Sequence, residues 1–563
     1  LLAYVADHPE QCLVSCNAES MCPTCDIRQK DRGNLAGGET KDTQNLVNIL
    51  RDHGANLEPH EFDDLNLRSI PEPFWAGLQN CNISMAFAPD LLHQMYKGVF
   101  KEHLVSWCTD AINDDSNIAE RELDKRFIAL PPHSDLKSFK DGISGISQWT
   151  GTEFKEMAKV FYALIVDAVD ERVAIAAKAL LDFLEYARLQ VQTTTTLRAM
   201  DEALGRFHEH KDILIERGIR DHFNIPKVHA LVHYVAKIKR LGTNDGFNTE
   251  TTERLHIGMA KEAYRASNRR DYHAQMTRHL ARLESLQLFD EYLAWKKERR
   301  TTTRKTADNS DQRTNESEPI KRYKISKRPR TGDRALPITT LWERHQVDDF
   351  VPALTRFLSA RGTASLLGDS TRFDTFTRFS VILPKLYHMP EEDEEKRKDR
   401  IRARPATIRN GRKKAKPAVF NTVLVRIGTQ LTLRQVDLMT VFTGLRAAQL
   451  RLIFKLPEEF NCTEHLAYVE WMNPFRDPQP SGLYQLSRAM LRGQKRNAEV
   501  IPLRNIVSSC HLVPRFGKVC DPLITSPNAL DHSQQFYFNP YLHLHAFFAT
   551  HGHKTTGLEN PAL

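Results

Sequence analysis

Apolar positions recur along the chain with two different periods. From about Pro71 to Trp295 they fall three and four residues apart, the spacing of one helix face. The run FKEMAKVFYALIVDAVDERVAIAAKALLDFLEYARL, from Phe154 to Leu189, keeps that spacing throughout and predicts two or three packed helices. The four threonines from Thr193 to Thr196 predict a turn. A further helix is predicted from Leu197 to Arg217, ended by Gly218. After Phe420 the pattern changes to short runs such as TVLVRI, QLRLIFKL, LAYVEWM and EVIPL, separated by Pro, Gly and Asn. These predict a small antiparallel β domain, a barrel or a sandwich.

Polar stretches divide the periodic ones. Residues 1–68 read as a cysteine cluster with a polar connector, and 69–298 as the long helical body. Residues 299–335 hold almost no large apolar side chain and cannot offset the entropy of ordering, so 299–340 is expected to be a disordered basic linker. A helical segment at 341–390 and a charged linker at 391–417 follow. The β domain is expected over 418–550 and a tail over 551–563. Between Lys396 and Lys416 there are 11 Lys or Arg and one Asp.

Composition narrows the class. Of 563 residues 41% are hydrophobic and 27% charged, enough for packed cores over most of the chain, which excludes a wholly disordered polymer. No apolar run reaches the roughly 18 residues of a membrane span, and no leader-like segment opens the sequence. The chain starts at Leu1 rather than Met, which suggests a fragment of a longer product. A net charge of +8 favours polyanion partners only where the cations cluster. Nine cysteines, four of them within Cys12–Cys25, suit a reducing compartment with a local metal or core role, in cytoplasm or nucleus.

The cysteine group reads Cys12-x3-Cys16-x5-Cys22-Pro-Thr-Cys25. A CPxC turn aims two thiolates at one ion, and Cys12 with Cys16 could complete a tetrahedral zinc site whose four thiolates leave no open position. His8 is a spare ligand; CLVSC could equally be a buried strand with small apolar thiols. Asp90 looks like the N-cap of a helix with His93 on its first turn, either a cap beside a core histidine or the flank of a metal or phosphate site. His229 and His233 stand four apart on one helix face, a spacing that can bind metal, although their apolar neighbours suit a core face. Glu250 and Glu253 precede Arg254, His256 and Lys261, a pattern that suits a Mg²⁺–phosphate site or an ordinary charged helix. The basic tracts contribute Lys321, Arg322, Lys327, Arg328 and Arg330, then Arg412, Lys413, Lys414 and Lys416, as candidate contacts to a phosphate backbone.

A family resemblance runs through these same stretches. PFWAGLQNCNISMAFAPDLLHQMYKGVFKEHLVSWC, GISGISQWTGTEFKEMAKVF, and HFNIPKVHALVHYV with GFNTETTERLHIGMAKEAYRASNRR resemble Plavaka-type transposases, fungal proteins of the Kyakuja–Dileera–Zisupton group of DNA transposons. The opening YVADHPEQCLVSCNAESMCPTC and the closing SSCHLVPRFG and FYFNPY are similar to that family too. The resemblance implies an RNase H-like core with three acidic residues, a zinc-type insert, and Mg²⁺-assisted attack on phosphodiesters. Asp90 and His93 match the family's D-x-x-H element. Glu253, with Glu250 as its rival, matches the place of the final catalytic acid, and the cysteine cluster matches the zinc insert. The family's earlier catalytic aspartates are expected upstream of this chain, so the resemblance implies a partial core that is catalytically inactive.

The expected architecture is therefore α+β, a partial RNase H-like core with a large helical insertion plus a C-terminal β domain. That domain loosely resembles a bromo-adjacent-homology barrel, a chromatin-binding module. Expected partners are transposon ends and target DNA in the nucleus, with the oligomeric state open. The alternative is a non-catalytic DNA- or chromatin-binding protein derived from a transposon. No GxGxxG, Walker A or GxSxG motif points to a metabolic enzyme.

Overall fold

The computed structural model describes residues 1–305, 323–363, 367–368, 370–390, 394–407, 415–427, 442, 444–476, 478 and 480–552, with the side chains of 298–305 outside the description. Leu1–Phe247 and Arg322–Leu563 make one compact unit, and Asn248–Lys321 a second. The protein is α+β: the elements before residue 306 are helices, and the antiparallel strands follow residue 322 together with four α-helices, Ile338–His345, Phe350–Ser359, Ala529–His532 and Leu544–Thr550, among the described residues. Between residues 69 and 298 the elements are helices, so the sheet expected of an RNase H-like core is not within that span.

Local chemistry sets the helix ends. The predicted run Phe154–Leu189 is two helices, Gly151–Ile165 and Glu171–Ala187, divided where Asp170 caps the second by accepting from Arg172 N. Thr150 and Glu153 close a capping box at the first. The threonine run is a helix start rather than a turn. Thr193 and Thr196 form their own reciprocal box, so β-branched residues poor in a helix interior open the helix Thr194–His210. That helix ends seven residues before Arg217, and Gly218, at φ +71°, terminates a separate short turn, Ile213–Glu216.

These helices bury Met157, Phe161, Phe183 and Phe207 against Met95, Val99 and Phe100 of a wide π-type helix, Leu91–Val105. Val513, Phe516, Tyr541, Phe547 and Phe548 from the C-terminal part enter the same core. Buried polar ties reinforce this packing. Arg126, 0% exposed, pairs with Glu122 and donates to the carbonyls of Leu164 and Gly517.

The strands are β1 (Tyr323–Lys324), β2 (Leu336–Pro337), β3 (Arg372–Phe376), β4 (Arg378–Ile382), β5 (Lys398–Arg404), β6 (Val419–Phe420), β7 (Thr422–Arg426), β8 (Leu445–Lys455), β9 (Leu466–Trp471), β10 (Gln485–Ser487), β11 (Ala498–Pro502), β12 (Ile506–Cys510), β13 (Leu512–Pro514) and β14 (Gln535–Phe538). They form a seven-stranded sheet ordered β11-β9-β8-β3-β2, with β7 beside β8 and β12 beside β7. A four-stranded sheet is ordered β1-β4-β5-β6, and a three-stranded one β10-β14-β13. None of the three closes, so the expected barrel is not formed among the described residues. In the 341–390 span the helical part reaches Ser359, and β3 and β4 occupy the second half. Within the basic tract, β5 alternates strictly: Asp399, Ile401 and Ala403 are buried, while Lys398, Arg400, Arg402 and Arg404 lie on the other face.

Candidate metal centre

A short N-terminal helix, His8–Val14, is capped by Asp7 and carries Pro9 in its first turn. Cys16, at φ 59°, then reverses the chain toward the CPxC turn. In that turn the Thr24 amide donates to Cys22 Sγ at 3.4 Å, and Lys41 Nζ donates to the Cys22 carbonyl at 2.8 Å. Gly38 is required beside it. A Cβ there would lie 2.5 Å from Asp26 Oδ1 and 2.6 Å from Ile27 N.

The opposing wall is the helix Pro226–His229, the 3₁₀ turn Ala230–His233 and the helix Tyr234–Leu241. It approaches the Leu91–Val105 helix at Gly98, where a Cβ would lie 2.4 Å from Lys227 Cδ. Lys227 crosses at that point to pair with Glu102 at 2.7 Å. His229 and His233 present rings 5.1 Å apart and 82° to one another.

The two walls meet at Cys22, Cys25, His229 and His233, whose ligand atoms all lie within 4.8 Å of one another. Cys25 Sγ is 3.2 Å from His229 Nε2, and Cys22 Sγ is 3.4 Å from His233 Nε2. Zn–S and Zn–N bonds in a tetrahedron put sulfur and nitrogen about 3.5 Å apart, so both contacts have the span of ligands around one ion. Thiolate with imidazole is a donor set for Zn²⁺ and not for Mg²⁺ or Ca²⁺. The set therefore fits a zinc-type ion.

The electrostatics fit as well. Cys25 hydrogen-bonds to Cys22 and, with His229 and His233, holds the Cys22 thiol well below its usual range. The same bond, with burial, pushes Cys25 up. Lys41 and Lys237 stand nearby, both lowered chiefly by burial, Lys237 to about 8. Lys237 donates to the Ser84 carbonyl at 2.6 Å. His229 Nδ1 is buried without a hydrogen-bond partner among the described residues, which show no outer acceptor of the kind that commonly orients a metal-bound histidine.

Of the four cysteines expected to share an ion, the structure brings together Cys22 and Cys25. Cys12 Sγ lies 3.5 Å from His8 Nε2 and 3.6 Å from the Met21 carbonyl, and burial pushes its thiol up to about 12. Cys16 sits in a separate apolar cluster with Leu46, Leu50 and Trp75, and burial pushes it up to about 11. The other two members are His229 and His233, a pair for which metal binding and a core face were both open. The signal that selects them is the unfinished CPxC turn, which needs two more donors.

Asp90 caps the Leu91–Val105 helix: its carboxylate accepts from Leu92 N at 3.2 Å and His93 N at 2.7 Å, and contacts His93 Nδ1 at 2.9 Å. It is 2% exposed. Glu250 and Glu253 belong to the second unit, on the helix Thr249–His256 capped by Asn248. Glu250 is half-buried and hydrogen-bonded to Asn248, and Glu253 is exposed. Lys327, Arg328, Arg330 and Lys416 are exposed, whereas Lys321, Arg322, Arg412, Lys413 and Lys414 lie outside the described residues.

The geometry defines an α+β protein in which a Cys₂His₂ cluster that could hold a metal ion lies between an N-terminal knuckle and a helical wall distant in sequence. Residues 1–108, about a fifth of the chain, match the Plavaka transposase family. The matched segment contains Cys22, Cys25, Asp90 and His93, and the two histidines of the centre lie beyond it. No curated protein matches the chain. No helix among the described residues is long and apolar enough to cross a membrane.

Proposed function

We propose that this is a transposase-derived, DNA-acting protein of the nucleus, in which Cys22, Cys25, His229 and His233 hold a structural Zn²⁺. The observation that carries the reading is the closure of the CPxC turn, inside the segment similar to Plavaka transposases, onto His229 and His233. Four protein ligands fill a tetrahedral ion and leave no position for substrate, so the ion's work is to fix one wall against the other.

Phosphodiester chemistry would fall to the carboxylates. Asp90 already accepts from two backbone amides and contacts His93, which supports a positioning role for it. Glu253, with Glu250 as its rival, is then the acid left for Mg²⁺. A lone carboxylate holds that ion weakly, because Mg²⁺ keeps most of its water unless several oxygens converge. The chain is therefore proposed to bind DNA without cutting it.

Metal analysis and a nicking assay test the two halves. Purified protein should carry one zinc per chain, lost in Cys22→Ser and in His229→Ala. DNA bearing transposon ends should stay intact in Mg²⁺. Metal retained by both variants would remove the zinc assignment, and robust Mg²⁺-dependent nicking abolished by Glu253→Ala would overturn the non-cutting reading.

A further inference from the structure

The four-stranded sheet has two unlike faces. Tyr323, Phe379, Val381, Ile401 and Ala403 turn inward to an apolar core, and this burial fixes the register, since a slip of one residue would reverse every side chain. The other face carries Lys324, Arg378, Ser380, Lys398, Arg400 and Arg402, which with Ile325 and Ser326 line an open groove of about 770 Å³ across β1, β4 and β5.

The register sets like charges against each other. Arg378 pairs directly with Arg402 across β4 and β5. Side chains opposed in this way have Cβ atoms about 5 Å apart, and two cations there destabilise a sheet. Neither arginine has an ion-pair partner among the described residues. Beyond them, Arg404 follows on the same face of β5, and it is lowered by burial and then by the charges of Arg402 and Arg330. Glu394 pairs with Lys324, and Glu395 with Lys398 and Arg400, leaving the opposed arginines as the uncompensated centre of the groove.

We infer that this groove docks the phosphate backbone of duplex DNA, with Arg378 and Arg402 as its central contacts. An anion between the two arginines converts their repulsion into two attractive pairs. Phe379, the ring that lines the groove, is 2% exposed and offers no face on which an unpaired base could stack, so the groove suits a duplex read through its backbone rather than a single strand. Glu394 and Glu395 occupy three of the cations in the free protein and must be displaced as DNA enters. The inference names the docking surface for the DNA of the proposed function and rests on that reading.

The test is binding of the zinc-loaded full chain to a short fluorescent DNA duplex of arbitrary sequence, over a salt series. Arg378→Ala/Arg402→Ala should weaken binding on the order of tenfold at low salt and reduce the slope of log Kd against log salt by about 2. Its melting temperature should not fall, because a repulsive pair has been removed. Glu394→Gln/Glu395→Gln should tighten binding, and a single strand of equal length should bind more weakly than the duplex. Unchanged affinity and slope in the double arginine variant, with wild-type binding intact, would remove the groove and leave the DNA-acting reading standing. A wild-type chain that binds no duplex at low salt would overturn both.

Discussion

The hydroxyl of Tyr234 lies 3.0 Å from the carbonyl oxygen of Asp90, 144 residues earlier, and 2.8 Å from Gln94 Oε1. Tyr234 follows His233 directly, so this contact ties the metal-centre wall to the capped start of the Leu91–Val105 helix. The ring is 1% exposed and packs edge-on against Phe183. The Asp90–His93 cap and the wall that carries His229 and His233 are thus joined through one buried hydroxyl.

Tyr234→Phe isolates that connection. It keeps the ring packing and removes the one hydroxyl, leaving the Gln94 side chain and the Asp90 carbonyl without this donor. The expected loss is about 1–3 kcal/mol in denaturant unfolding, the usual cost of an unsatisfied buried polar group. A change under a few tenths of a kcal/mol would mean that water or a neighbour replaces the hydroxyl.

Removing the proposed zinc ion should act on stability more than any single hydrogen bond. Zinc binding to structural sites in small domains is worth about 10–16 kcal/mol in apparent free energy, much of it coupled to folding. Val228, Leu231, Tyr234 and Ile238 of the wall belong to the main apolar core, so chelation should lower the melting temperature and free the knuckle while that core keeps the helices folded. Hydrogen exchange should report the loss of protection at residues 16–41 and 226–241 first.

Arg126 is buried with Glu122 at 2.7 Å and donates to two carbonyls from distant segments. Arg126→Ala leaves the buried Glu122 carboxylate without its cation, held by the Cys520 amide at 2.6 Å, and two carbonyls without this donor, and should cost about 3–5 kcal/mol. Arg126→Ala/Glu122→Ala should recover part of that loss, because the isolated charge is then gone as well. Equilibrium unfolding of the single and double variants measures the difference.

Acid should weaken the contact between the helices and the C-terminal strands. His511 Nε2 lies 3.1 Å from the Pro131 carbonyl and its Nδ1 lies 3.3 Å from Asn539 Nδ2, an arrangement that a neutral ring with its proton on Nε2 satisfies. His543 Nδ1 accepts from Ala546 N as a helix cap. Burial is the main cause that lowers both to about 4, with no ion pair to either ring among the described residues to favour the charged form. The unfolded chain binds these protons near pH 6.5 and the folded chain near 4, so stability contributed above the first value is lost as pH falls between them. Unfolding free energy at pH 7 should exceed that at pH 5 by about 2–4 kcal/mol, and His511→Gln should reduce the difference.

Several elements were legible in the sequence because their causes are local. The helical period of Phe154–Leu189 reflects a face that packs on Leu91–Val105, and Asp170 divides it as an N-cap would. Thr193–Thr196 misled because β-branched residues are weak inside a helix, whereas a reciprocal cap at its start is decided by side-chain hydrogen bonds. In Lys398–Arg404 the strand alternation is present, but seven residues with four cations read first as a solvated connector.

The amino-acid order alone set the helix and strand periods, the caps, the CPxC turn and the i, i+4 histidine pair. Each of these follows from interactions within a few residues. Tertiary structure decided which thiols and imidazoles share a site, since Cys25 and His229 are 204 residues apart and only the packing of the knuckle against the 226–241 wall brings them within 3.2 Å. It also set Arg378 opposite Arg402, because strand register depends on which face the core buries.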